Sequence, residues 1–128
     1  KASSVNAARH LAEEATGAII VGEIPAGADR QALLAALDTV RGTHAEAAIL
    51  LAGADLAEGK VAIVANVPKP LVGKGLKAGD WVRETSAVVG GKGGGRPDAA
   101  QGGGTEPEKL ADALERARAF ASEHIGTA

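Results

Sequence analysis

The chain contains no cysteine, one tryptophan and one phenylalanine. Disulfides and thiolate metal sites are therefore excluded. Its three histidines, His10, His44 and His124, lack the spacing of a zinc site and read as surface residues. No G-x-S-x-G elbow and no GxxxxGK[ST] loop occurs, which removes the usual serine-hydrolase and P-loop readings. Apolar runs fall well short of the roughly 20 residues of a membrane-spanning helix. No signal-peptide pattern opens the chain either, so a cytoplasmic location is expected and no membrane partner. The scarcity of rings also bears on nucleic acid. Readers of single strands stack bases on exposed aromatics, and Trp81 and Phe120 both fall on helical segments and read as core. Any RNA binding is then expected to rest on backbone contacts, shape and one exposed base pair.

What is abundant is alanine and glycine. At 128 residues and 45% apolar content the chain fits one domain, its core built from Val, Leu, Ile and Ala. Net charge is −2, which argues against a general nucleic-acid binder and makes DNA an unexpected partner. The distribution is uneven. Lys69, Lys74, Lys77, Arg83, Lys92 and Arg96, against Asp80 and Glu84, make residues 69–96 +4 and the remainder −6. A basic patch on an acidic body is the footprint of a localised phosphate partner, or simply a lysine-rich solvated surface.

Residues 3–15 carry an apolar stripe at helical spacing (Val5, Ala8, Leu11, Ala12, Ala15), and Gly17 ends the helix. The opening inside polar helical sequence, without an initiator Met, reads as part of a longer helix. Residues 18–24 form a buried strand. Asp29 caps a helix to Arg41 with Leu33, Leu34, Leu37 and Val40 inward, and residues 47–52 make the next strand. That is a βαβ unit with parallel strands. A turn over 53–59 leads to an antiparallel strand over 61–67. Residues 69–78 read as a basic loop, and 80–89 as a helix with Trp81, Val82, Thr85, Val88 and Val89 inward. Thr105 and Glu108 spell a capping box for a last helix whose buried stripe is Leu110, Leu114, Ala117 and Ala121. The expected class is α/β: a small mixed sheet, made of the βαβ unit plus an antiparallel hairpin strand, with helices packed on it and an N-terminal helix in front. The expected division is residues 1–16 as the end of a helical connector and 17–128 as the globular domain, with a Gly-rich loop at 90–104.

That stretch, GGKGGGRPDAAQGGG, holds eight of the 18 glycines. Glycine is costly to order, so a cluster of this kind has a reason. One reading is an ordered loop whose bare N–H groups, beside Lys92 and Arg96, suit an anion. The other is a glycine-rich strand and turn packed tightly on a helix. Residues 99–103 are also read as a strand. Arg96 fits a bidentate phosphate contact or a carboxylate of its own domain. Asp98 reads mainly as a cap for turn amides beside Pro97, with general base or metal ligand as the alternative. Gln101 suits a ribose or base, or the loop backbone. Residues 73–78 formally match G-x-G-x-x-G/A, but two prolines separate them from their strand and no acidic residue closes a second strand, so no dinucleotide cofactor is expected. No cofactor of any kind is expected for this chain.

The same stretch resembles the signature of the C-terminal, DHHA1-type domain of bacterial alanyl-tRNA synthetases: glycines, Arg-Pro-Asp-Met-Ala-Gln, then further glycines. Gly93, Gly94, Gly95, Arg96, Pro97, Asp98, Ala100, Gln101, Gly103 and Gly104 match, and Ala99 stands where the family has Met. The order of segments is similar from Ala18 to Ile125, and residues 3–15 are similar to the end of the family's helical connector. The resemblance implies a domain that binds the outer corner, or elbow, of tRNA and helps aminoacylation and editing domains act on it. In some members it also implies a contribution to dimerisation. The residues it carries over are Lys92, Gly93, Gly94, Gly95, Arg96, Asp98 and Gln101; the charge argument adds Lys74 and Lys77. By itself such a chain is expected to be non-catalytic, a piece of an alanine–tRNA ligase. Two alternatives stand beside this. DHH-type phosphoesterases share the domain but carry Gly-Gly-Gly-His, where this chain has Arg96 after the glycines. An assembly module would self-associate through an exposed stripe along Val5, Leu11 and Ala15.

Overall fold

The computed structural model describes residues 2–126. The chain opens with helix α1 (Ala2–Glu14), then strand β1 (Ile19–Glu23), α2 (Arg30–Arg41), β2 (Ala48–Asp55) and β3 (Lys60–Asn66). A short helix α3 (Lys69–Gly73) and α4 (Ala78–Val88) lead to β4 (Lys92–Gly95) and β5 (Ala99–Gly104). A single 3₁₀ turn (Pro107–Lys109) precedes α5 (Leu110–Ile125). The five strands form one mixed sheet in the order β1-β2-β3-β5-β4. Only β1 and β2 run parallel, Val21 opposite Leu50; the other pairs are antiparallel. The βαβ unit and the antiparallel third strand are therefore both present, as is the N-terminal helix.

Alternation along the central strands sends side chains to two separate cores. Val61, Ile63 and Ala65 of β3, with Leu50 of β2, pack beneath α4 and α5 against Trp81, Val82, Leu110 and Ala117. Ala62 and Val64, with Ile49 and Leu51, pack beneath α2 against Leu33, Ala36, Leu37 and Val40. Asp29 accepts a hydrogen bond from Ala32 N–H at 3.2 Å, so α2 starts where the sequence places it. Trp81 is fully buried and its Nε1–H donates to the Ala117 carbonyl at 2.8 Å, tying α4 to α5. Helix α1 lies over α2 and β1: Ala8 is buried, and a side chain at Gly22 would meet the Leu11 methyls at 2.9 Å.

Several local expectations need correction. Strand β2 runs on through Gly53 to Asp55, so the expected 53–59 turn shrinks to the four residues before β3. The expected basic loop over 69–78 contains α3, because Pro68 and Pro70 suit the first turn of a helix. Helix α4 begins two residues early because tertiary partners cap it: Ala78 N–H donates to Pro97 C=O at 2.7 Å and Gly79 N–H to Arg96 C=O at 3.2 Å. The Thr105–Glu108 capping box does not form. Pro107 opens a 3₁₀ turn, Thr105 N–H donates to Val89 C=O, and α5 starts at Leu110 without a side-chain cap. Phe120 is only half-buried, stacked on His124 at 4.3 Å between ring centres and overlain by Arg116. Its neighbours on α5 are the solvent-facing ones, while the buried stripe runs through Ala117 and Ala121.

Candidate nucleic-acid interface

The stretch from Gly90 to Gly104 is a β-hairpin, so the strand-and-turn reading of its glycines holds over the loop reading. Gly90 (φ +72°) ends α4 in a backbone conformation that disfavours a side chain. Lys92 pairs with Gly103, Gly93 with Gly102, Gly94 with Gln101 and Gly95 with Ala100. The turn at Arg96-Pro97-Asp98 closes with Arg96 N–H donating to Ala99 C=O at 2.9 Å. Two of its carbonyls cap α4, and a third, on Asp98, accepts from Val67 N–H at 2.9 Å. The turn is thus held by backbone bonds on both flanks.

Register separates the notable residues into two faces. Gly93 and Gly102 lie on the α4 side. A Cβ at Gly93 would stand 2.6 Å from Val82 Cγ1, and one at Gly102 would stand 2.4 Å from Ser86 Oγ. A Cβ at Gly95 would press on Ala100. Gly93 and Gly102 let the hairpin approach its own helix, and their α4 side is not free for a ligand. Ser86 Oγ is buried there without a hydrogen-bonding partner among the described residues. Lys92, Gly94 and Gln101 share the opposite face, the one that α2 covers further along the sheet. A Cβ at Gly94 would meet nothing within 4 Å. Lys92 and Gln101 are exposed.

The remaining sequence-derived positions divide in the same way. Arg96 is exposed at the hairpin tip, its Nε 3.4 Å from Asp98 Oδ1. Asp98 is half-exposed; its carboxylate faces Arg96 instead of capping turn amides. Lys77 is exposed and directly precedes the residue bonded to Pro97, so it joins the tip. Lys74 belongs elsewhere. Its neighbour Gly75 abuts the His124 carbonyl in the last turn of α5. Lys74, Lys77 and Lys92 have no ion pair among the described residues.

Three groups escaped sequence reasoning. Arg41, Leu37 and Asn66 border the open hairpin face but come from α2 and β3; Leu37 reads only as core, and nothing local marks the other two. Among the described residues no helix is long and apolar enough to cross a membrane. The apolar stripe of α1 is partly consumed within the domain: Val5, Leu11 and Ala15 are half-buried, with Leu11 seated over Gly22.

A mixed five-stranded sheet, a glycine hairpin packed on one helix and an open basic tip together define a small α/β domain with one exposed basic edge. The DHHA1 domain profile matches residues 16–123. The chain belongs to the DHHA1 domain family, in the branch formed by the C-terminal, C-Ala domains of alanyl-tRNA synthetases. It is 47% identical over 116 residues to the alanine–tRNA ligase of Pseudomonas entomophila strain L48, covering 91% of this chain and 13% of that protein. It is 39% identical over 107 residues to the cytoplasmic alanine–tRNA ligase of Drosophila melanogaster, covering 84% of this chain and 11% of that protein. The chain thus spans about a tenth of the curated relatives it matches. The crystal structure of the C-Ala domain from Aquifex aeolicus alanyl-tRNA synthetase superposes with a TM-score of 0.64 at 27% identity, covering 84% of this chain and 89% of that one.

Proposed function

We propose that this chain is the tRNA-binding C-terminal domain of an alanine–tRNA ligase. It engages the tRNA elbow and supports aminoacylation and editing carried out by other domains of that enzyme, in the cytoplasm. Residues 1–16 are the end of a helical connector and 17–128 the globular unit. The chain itself performs no catalysis and takes no cofactor. The observation that carries the reading is the hairpin edge. Lys92, which has no ion pair among the described residues, Arg96 at the tip and Lys77 joined to it form a cationic border on a chain of net charge −2. Such a border suits phosphates, whose neutralisation releases counterions and makes affinity fall with salt. Family membership supports this partner class, since the relatives are alanine–tRNA ligases.

The test is binding of the chain to whole tRNA and to a minihelix lacking the elbow, across a salt series. Preference for whole tRNA, weakening as salt rises, is expected. The pair Lys92→Glu with Arg96→Glu should abolish that binding while leaving the melting midpoint unchanged. Equal binding of tRNA by the pair variant removes the hairpin from the interface. No binding by the unaltered chain moves the assignment to an assembly module, checked by the mass of the chain in solution.

A further inference from the structure

Between α2 and the open face of the hairpin lies a groove of about 350 Å³, within the range of ligand pockets, roughly 300–1,000 Å³. Leu34 and Leu37 of α2 line it on one side, and Gly94, Ala99 and Ala100 of the hairpin on the other. Asn66 and Gln101 also line it. Asn66 is opposite Ala99 and Gln101 opposite Val64, so the two carboxamides stand on one face, two residue pairs apart. Among the described residues neither carboxamide has a hydrogen-bonding partner. Arg41 and Arg96 border the same groove; Arg41 faces Asp38 at 3.9 Å and Arg96 faces Asp98. Asp38 lines it too and supplies acceptor oxygens.

An apolar peptide side chain seated here would strand two carboxamides, and unpaired polar groups are costly once water is excluded. A flat heterocycle with donors and acceptors at its rim uses every part. Its faces meet leucine and the unsubstituted glycine strand, and its edge meets paired amide groups, which Asn and Gln offer to bases bidentately. Bases unstacked from single-stranded or looped RNA are the form in which such edges are available. The geometry points to a slot for one unstacked nucleobase of the bound RNA, its edge read by Asn66 and Gln101 and its adjoining phosphate met by Arg41 or Arg96. The slot rests on the RNA-binding reading above and adds base recognition to what is otherwise a backbone-led contact.

The chain has two asparagines, Asn6 and Asn66, and two glutamines, Gln31 and Gln101, so its side-chain amide NMR spectrum carries its own control. Addition of whole tRNA should shift the amide signals of Asn66 and Gln101 and leave those of Asn6 and Gln31 in place. The variant Asn66→Ala with Gln101→Ala should bind tRNA about tenfold or more weakly. Its salt dependence should stay unchanged, because no cation is removed. If tRNA binds with both groove amides unmoved and the double-alanine variant binds as tightly as the parent, the slot is overturned and the RNA-binding reading stands. If the unaltered chain binds no tRNA, both fall.

Discussion

On the α4 side of the β4–β5 hairpin an added methyl group has nowhere to go; on the α2 side, at Gly94, it meets only open space. The two faces are built from one run of glycines, yet they do different work. Gly93 and Gly102 bring the backbone within contact of Val82 and Ser86, so that α4 can lie flat on two short strands. Gly94, between Lys92 and the exposed tip, leaves a bare strand surface beside the Asn66 and Gln101 carboxamides. Glycine content marks close approach, and only register tells whether the approaching partner is the protein itself or something from outside.

The largest expected effect comes from filling the packed face. Gly102→Val would drive branched carbons into Ser86 Oγ, Val82 and the Gly93 Cα, the last 2.9 Å from the first added carbon. Overpacking with backbone as the obstacle should cost about 3 kcal/mol, read as a fall in the urea midpoint. A Gly102→Val protein as stable as the parent would mean that the hairpin does not lie against α4. Trp81→Phe comes next. It removes the Nε1–H that donates to the Ala117 carbonyl in the core between α4 and α5, and leaves a void beside the smaller ring. About 1–3 kcal/mol should be lost.

Small and opposite in sign is the effect on the open face. Gly94→Ala meets no atom and sits at a backbone angle ordinary residues adopt, so it should raise stability by about 0.4–1 kcal/mol. The same substitution places a methyl on the proposed base slot, so tRNA affinity should fall while stability rises. A Gly94→Ala chain that loses stability would blur the distinction between the faces. Ser86→Ala should give the smallest change, neutral to slightly stabilising by up to about 1 kcal/mol, because it removes a buried hydroxyl with no partner. Calorimetric melting of both variants alongside the parent is sufficient to rank them.

The βαβ unit was legible because its signals are local: a short apolar run, an Asp29 cap, a helical stripe ending at Gly42, and a second apolar run. Residues 105–110 misled for the opposite reason. Thr105 and Glu108 have the right chemistry for a capping box, but Thr105 N–H is held by Val89 and Pro107 turns the chain first. The start of α4 was invisible in sequence because its cap is not a side chain. It is a pair of carbonyls from a turn about twenty residues further along, at Arg96 and Pro97. The candidate site was half legible. Lys92, Arg96 and Gln101 stand out in the glycine run, whereas Arg41, Leu37 and Asn66 reach the groove only through the order of strands.

The sequence alone determined the class of the fold, the two-sided apolar character of its central strands, and the family, because periodicity, caps and an unusual contiguous motif are read along the chain. Only the tertiary structure decided which glycines serve packing and which leave a surface open. A glycine has no side chain to declare a face, so its role is set by register against β5 and by the helix lying beneath it.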